Sequence, residues 1–246
     1  MDIQVLASSS RGNCYRVSDG STPLLLECGI PYKEIQRGLN YQVTMAGGCL
    51  ISHEHKDHCK ALSEVSNKAG VDCYMSQGTA EALGVAGHRI KLIRAMEQFT
   101  LGTWTVLPFD TQHDAAEPLG FLLASRTGEK LLFATDTYYI RYRFNGLTHI
   151  MVEANYADDI LAANYASGSV PAQMQKRIMR SHFSLANVLK FLKANDLSRV
   201  EEIWLIHLSS DNAHEAEFEA AIQRATGKPV YIAQALARKP VYVAAR

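Results

Sequence analysis

His53-Glu54-His55-Lys56-Asp57-His58 is the stretch on which the reading of this chain turns. It follows the apolar run Cys49-Leu50-Ile51-Ser52, which reads as a buried strand. In an extended segment, side chains two residues apart point the same way, so His53 and His55 can grip one ion together. Asp57 and His58 lie where the chain turns into the next helix and can face a second ion. Imidazole and carboxylate ligands suit Zn²⁺, Mn²⁺ or Fe²⁺. The competing reading is a polar loop that happens to be rich in histidine. With 9 histidines in 246 residues, a chance match is roughly one in a thousand, and that reading is set aside.

One hexapeptide cannot fill two metal sites, so further ligands are sought at the ends of other apolar runs. His113 stands in Phe109-Asp110-Thr111-Gln112-His113, just past a strand pattern. Asp136 follows the run 131–134, and His207 follows the run 203–206. Singly, each is more often an ordinary residue at the rim of a sheet. Beside the hexapeptide, the same positions become ligand candidates.

Period-two and short apolar runs predict strands at 3–6, 14–17, 24–27, 49–52, 72–75, 103–109, 119–125, 130–134, 149–152, 203–206, 230–232 and 241–243. Helices are expected from Pro31 to Leu39, at 60–68, through much of 157–193, and at 215–224. Strands in both halves with helices attached suit two sheets face to face, though the pattern allows other α/β arrangements. Lys plus Arg (25) equals Asp plus Glu (25). Zero net charge argues against a protein coated in non-specific nucleic-acid contacts, but not against a local basic groove. No run approaches the ~20 apolar residues of a membrane span, and Met-Asp-Ile-Gln-Val lacks a signal-peptide pattern. Five cysteines without framework spacing predict reduced thiols and a cytoplasmic protein.

The ordered set His-x-His-x-Asp-His, lone His, lone Asp, lone His resembles the metallo-β-lactamase superfamily over the whole chain. The resemblance implies a four-layer αββα sandwich of two mixed sheets with helices outside, with residues 1–246 as a single domain. It also implies two divalent transition-metal ions, zinc, manganese or iron. His53, His55 and His113 would hold one, Asp57, His58 and His207 the other, and Asp136 would bridge them. Where the family usually has Asp after an early strand, this sequence has Glu27 in Leu24-Leu25-Leu26-Glu27-Cys28-Gly29. By the same resemblance that residue supports the ligand loop rather than binding metal.

Further stretches resemble the compact YycJ/WalJ-type exonucleases. They are the Ser8–Asn13 loop before Cys14-Tyr15, Glu153-Ala154-Asn155, Val170-Pro171 with Lys176-Arg177-Ile178, Ser181-His182-Phe183-Ser184, and His207-Leu208-Ser209-Ser210. Phe183 replaces the branch's usual Leu, and Ala7 its frequent Gly. About 70 residues separate Asp136 from His207, too few for an inserted cap domain beside the fold's own helices. The resemblance implies an exonuclease working 5′-to-3′ on DNA or RNA, in which a hydroxide bridging the metals attacks phosphorus. A small-molecule hydrolase of thioesters, lactones or cyclic phosphodiesters on the same metal core is the alternative. A metal-binding module without catalysis is the third, and retention of every ligand argues against it. Glyoxalase II's helical extension and ribonuclease Z's tRNA-gripping arm find no match here.

Asp57 and His182 are the candidate catalytic residues. His182 could donate a proton to the leaving oxygen or hydrogen-bond a phosphate; a structural reading makes it a helix N-terminal residue before Ser184. Lys176, Arg177, Arg180, Arg141 and Arg143 could line a local basic groove. Cys59 is expected to pack into the helix. Tyr138, Tyr139 and Tyr142 are expected to pack rather than stack on bases, and His88, His149 and His214 to be structural.

Overall fold

A computed structural model describes residues 1–234; the strand expected at 241–243 lies outside the described residues. Two mixed sheets face each other. The first runs β1 (Asp2–Ala7), β2 (Cys14–Ser18), β3 (Pro23–Leu26), β4 (Cys49–Leu50), β5 (Cys73–Met75), β6 (Ile90–Leu92), antiparallel up to β3 and parallel after it. The second contains β7 (Phe99–Leu101), β8 (Trp104–Asp110), β9 (Leu119–Ser125), β10 (Lys130–Ala134), β11 (His149–Glu153), β12 (Glu202–Ile206) and β13 (Val230–Ile232), again in chain order. Its first four strands are antiparallel and the rest pair in parallel.

Strand alternation divides the apolar residues among three packed layers. Leu24 and Leu26 point between the sheets, where they join Trp104, Phe121, Phe133 and Trp204. Leu25, between them in sequence, joins the outer cluster with Cys49, Cys73 and Met75. That outer face is covered by α1 (Tyr32–Gly38), α2 (Lys56–Cys59), α3 (Leu62–Asn67) and α4 (Gln77–Leu83), through Ile35, Cys59, Leu62, Val65 and Ala80. Similarly, Leu131 and Phe133 face the central layer while Leu132 and Ala134 face outward. There α7 (Leu185–Lys193) and α8 (Glu215–Thr226) supply Val188, Phe191, Leu192, Phe218 and Ile222. Strands buried on both faces read as continuous apolar runs, as these do. Each fully buried Leu or Phe contributes about 1.5–3 kcal/mol. The helices α5 (Asp158–Ala166) and α6 (Ala172–Ser181) meet around Tyr156, Leu161, Val170 and Ile178.

The helix expected at 60–68 is α3, and a separate short helix, α2, begins inside the hexapeptide at Lys56. Four short elements escaped the pattern, the 3₁₀ turn Val43–Met45 among them. Strands β6 and β7 are three residues each and partly exposed, too short for a period to register. Helix α4 is announced only by its caps: the Ser76 hydroxyl accepts from the Thr79 N–H, and Gly84 closes it in the left-handed region at φ 63°. No helix of the described residues is long and apolar enough to cross a membrane. All five cysteines are free and buried.

Candidate metal centre

The ends of strands deliver the polar side chains. Glu27 follows β3, the hexapeptide follows β4, His113 follows β8, Asp136 follows β10, Glu153 closes β11 and His207 follows β12. Glu27, Asp136 and His207 sit in the left-handed region, with φ of 63°, 44° and 54°. For non-glycine residues this costs of order 1–3 kcal/mol each and persists where surrounding contacts enforce it. At His207 those contacts are explicit. Its N–H donates to Ser8 Oγ at 2.8 Å, and its carbonyl accepts from Asn155 Nδ2 at 3.0 Å.

The seven expected ligands converge in two groups that share Asp136: His53, His55 and His113 in one, Asp57, His58 and His207 in the other. In the first, His55 Nδ1 lies 3.0 Å from His53 Nε2 and 3.2 Å from His113 Nε2, and Asp136 Oδ2 lies 3.4 and 3.6 Å from those two nitrogens. In the second, His58 Nε2 is 3.3 Å from Asp57 Oδ2 and 3.0 Å from Asp136 Oδ2, and His207 Nε2 is 3.4 Å from Asp57 Oδ2. Ligands at about 2.0–2.1 Å from a tetrahedral ion stand about 3.3 Å apart. The donor spacing and the N/O donor set therefore fit divalent ions of the zinc or manganese kind.

Other contacts orient these donors. His113 Nδ1–H donates to the Ser181 carbonyl at 2.9 Å, which turns Nε2 toward the cluster. His207 Nδ1 lies 3.2 Å from Glu153 Oε1, which leaves Nε2 toward Asp57. The buried Glu27 carboxylate accepts from the Ser52 N–H at 3.2 Å and lies 3.7 Å from His58 Nδ1, as expected of a loop support. The hexapeptide backbone is clamped as well. Asn13 and Cys28 donate their N–H groups to the carbonyls of Asp57 and His58 at 2.7 and 2.8 Å. A Cβ on Gly29 would lie 1.6 Å from the Asp57 carbonyl oxygen.

Glu153 was visible in the sequence only as part of a resembling segment; its chemistry was not. It is fully buried, and Oε2 accepts the N–H groups of Thr137 and Phe183 at 3.0 and 3.2 Å. Oε1 accepts Nδ1–H of His182 at 2.6 Å and faces His207. Asp136, Glu153, His182 and His207 form a third cluster of potential ligands. Because the Glu153 oxygens already have these four partners, we read it as a support rather than a third ion site. A charged residue ending an apolar strand was the signal available. His182 is the C-cap of α6, and the cap of α7 is Ser184, whose hydroxyl accepts from the Asn187 N–H. His182 thus stands just before α7, where the structural reading put it, and also ends α6.

Charge is concentrated around Asp136. Burial opposes its ionisation, but His207 and His58 hold the carboxyl well below its ordinary pKa. Burial likewise works against charge on His58 and His207, and the adjoining carboxylates overcome it. His58 is raised well above the usual histidine value and His207 is pushed up to about 10. His53 and His113, with more imidazole neighbours, are lowered, chiefly by burial. Burial opposes the charge on His182 too, and Glu153 raises it.

The cluster opens into a cleft of about 350 Å³ that is also lined by Met174, Arg177 and Ile178 of α6. A cleft of about 380 Å³ beside β1 and α1 is similar in size, but none of the metal-ligand histidines line it. Of the five cations expected to make a basic groove, Arg177 alone lines the cleft. Lys176 and Arg180 are exposed elsewhere on α6, and Arg141 pairs with Asp110 at 2.8 Å. Tyr142 packs on Phe109 and Phe144, whereas Tyr138 and Tyr139 are exposed. Cys59 is buried against α3, His149 is buried beside Thr148, and His88 and His214 lie exposed outside the cluster.

A family model, the β-lactamase superfamily domain, matches residues 33–208. The chain is 28% identical over 229 residues to exodeoxyribonuclease YycJ of Bacillus anthracis, covering 86% of this chain and 84% of the relative. It is 27% identical over 224 residues to exodeoxyribonuclease WalJ of Streptococcus pneumoniae, covering 85% and 81%. Its fold is similar to that of the metallo-β-lactamase fold protein YhfI from Bacillus subtilis, with TM-score 0.73 at 13% identity over 97% of this chain and 99% of that one. A match that takes in both the hexapeptide and His207, on this sandwich, leaves one conclusion: the chain belongs to the β-lactamase superfamily and is a metal-dependent hydrolase of the metallo-β-lactamase fold.

Proposed function

We propose that the chain is an exonuclease that hydrolyses phosphodiester bonds of DNA or RNA in the cytoplasm, 5′-to-3′, with zinc or manganese bound at the centre. The observation that carries this reading is Asp136 standing between two donor sets, beside a histidine that is held by a buried carboxylate. Likeness to two chains named exodeoxyribonucleases over most of their length supports the polymer substrate. The sequence resemblance supports the direction.

His53, His55 and His113 would hold one ion, Asp57, His58 and His207 the other, and Asp136 both. When bound, two divalent ions supply Lewis-acid stabilisation of an in-line displacement at phosphorus and activate water. The chain's own residues do the rest. Glu153 fixes the His182 ring by accepting from Nδ1–H, so Nε2 is the atom free to face a substrate in the cleft. From there His182 donates a proton to the departing oxygen or a hydrogen bond to a phosphate oxygen. Asp57 would hold the second ion together with His207, whose Nε2 lies 3.4 Å from Asp57 Oδ2. Glu27 and the clamp at Gly29 hold the ligand loop against this side of the cleft.

The test is digestion of single- and double-stranded DNA and RNA, labelled at either end, with Mn²⁺, Zn²⁺ or Mg²⁺. Release of 5′-terminal nucleotides first supports the reading. Efficient turnover of a thioester or lactone without any strand cleavage overturns it.

A further inference from the structure

Residues three and four apart on a helix lie one above another, so α6 presents Met174, Arg177, Ile178 and Ser181 on one face. The first three line the cleft, and the carbonyl of Ser181 accepts from His113. Arg177 is the one Lys or Arg among the described lining residues, in a cleft also lined by Asp57, Asp136 and Asp211. Its guanidinium pairs with Asp114 through a single Nε contact of 2.8 Å, with side chains 62% and 43% exposed, while the other Asp114 oxygen lies 3.3 Å from His113 Nε2. Such an exposed pair contributes little, because water screens both partners. A guanidinium matches the oxygens of a phosphate two at a time, which a single carboxylate contact does not do here. A phosphate entering the cleft is therefore a stronger claimant on Arg177 than Asp114 is.

We infer that Arg177 is a substrate-binding residue that leaves Asp114 for a strand phosphate flanking the reacting one, with Asp114 acting as its built-in competitor. This rests on the nuclease reading above. It also predicts something a plain structural latch does not. If the pair only tied α6 down, removing either partner would loosen the same contact and shift activity the same way. If Arg177 binds substrate, removing Arg177 weakens binding and removing Asp114 strengthens it.

The experiment is steady-state cleavage of a 5′-labelled single-stranded DNA by the metal-loaded full chain, Arg177→Gln, Arg177→Lys and Asp114→Asn, across a salt series. Arg177→Gln should raise KM roughly tenfold with kcat little changed, and reduce the salt slope by about one. Arg177→Lys should recover part of the loss, since it restores charge without the planar fork. Asp114→Asn should lower KM with the metal content unchanged, which separates release of Arg177 from any disturbance of His113. An unchanged KM in Arg177→Gln, or the same direction of change in Arg177→Gln and Asp114→Asn, overturns the inference while the nuclease reading stands. Failure of the unaltered chain to cleave any strand overturns the nuclease reading and this inference with it.

Discussion

Nδ1 of His182 lies 2.6 Å from Oε1 of Glu153, a carboxylate buried at the end of β11. The same oxygen lies 3.2 Å from Nδ1 of His207, a metal-ligand candidate. One side chain thus orients both the proposed proton donor and part of the metal centre, and mutations can separate the two duties.

His182→Ala removes the donor and spares the ligands. It should lower kcat by roughly 10²–10⁴-fold, the usual contribution of a general acid or base. Metal content and Tm should stay near those of the unaltered chain. Kinetics, elemental analysis and a melting curve on this variant check all three; near-normal kcat with both ions retained would remove His182 from the chemistry.

Glu153→Gln preserves shape and withdraws the charge from both imidazoles. It should lower kcat and also weaken metal binding roughly 10–100-fold, the usual cost of losing a support behind a ligand. Titration of the metal-free variant measures the second effect. Full metal affinity in Glu153→Gln would mean that His207 is held by Ser8 and Asn155 alone.

Gly29→Ala tests the clamp on the ligand loop. The added methyl would meet the Asp57 carbonyl oxygen at 1.6 Å, and backbone on both sides leaves little room to yield. Overpacking of this kind costs about 1–3 kcal/mol or more, and here the displaced atoms carry Asp57 and His58. Tm and metal content should fall together. A variant that melts normally and loads both ions would show that the two loops separate without cost.

Loading the centre should release protons. His207 is raised to about 10 and so is protonated near pH 7.5 in the metal-free chain, and His58 is shifted in the same direction by the adjoining carboxylates. A metal takes only neutral imidazole, so binding expels the His207 proton, and affinity should climb with pH toward about 10. In the metal-free chain the sign is reversed for stability. The raised pKa of His207 contributes fully below about pH 6.5, and that contribution is lost as pH rises through about 10. Calorimetry in buffers of different ionisation enthalpy counts the protons; a buffer-independent heat would contradict the charge assignment.

The seven donor positions could be read from the sequence because each follows an apolar strand, and strands fix where their ends emerge. The long runs at 119–125 and 130–134 could be read for the same reason. What could not be read depends on contacts between distant segments. Gly29 looks like any turn glycine until Asp57 packs on it. Glu153 looks like one more charged strand end until two imidazoles from other loops meet it. His182 lies beside helix signals on both sides, and only the break at Ser181–Ser184 shows that it caps one helix and precedes the next. Strands β6 and β7 owe their pairing to neighbours rather than to their own three residues.

The central claim is that one carboxylate, Asp136, joins two ion sites. It is tested most directly by counting metal ions per chain in the unaltered protein and in Asp136→Asn, which keeps the side chain's size and tolerates the left-handed backbone. The account predicts about two ions per chain in the first, with fewer ions and lost strand cleavage in the second. A reproducible single ion in the unaltered chain, unchanged by added Mn²⁺ or Zn²⁺, would contradict it, as would an Asp136→Asn chain that keeps both ions and full activity.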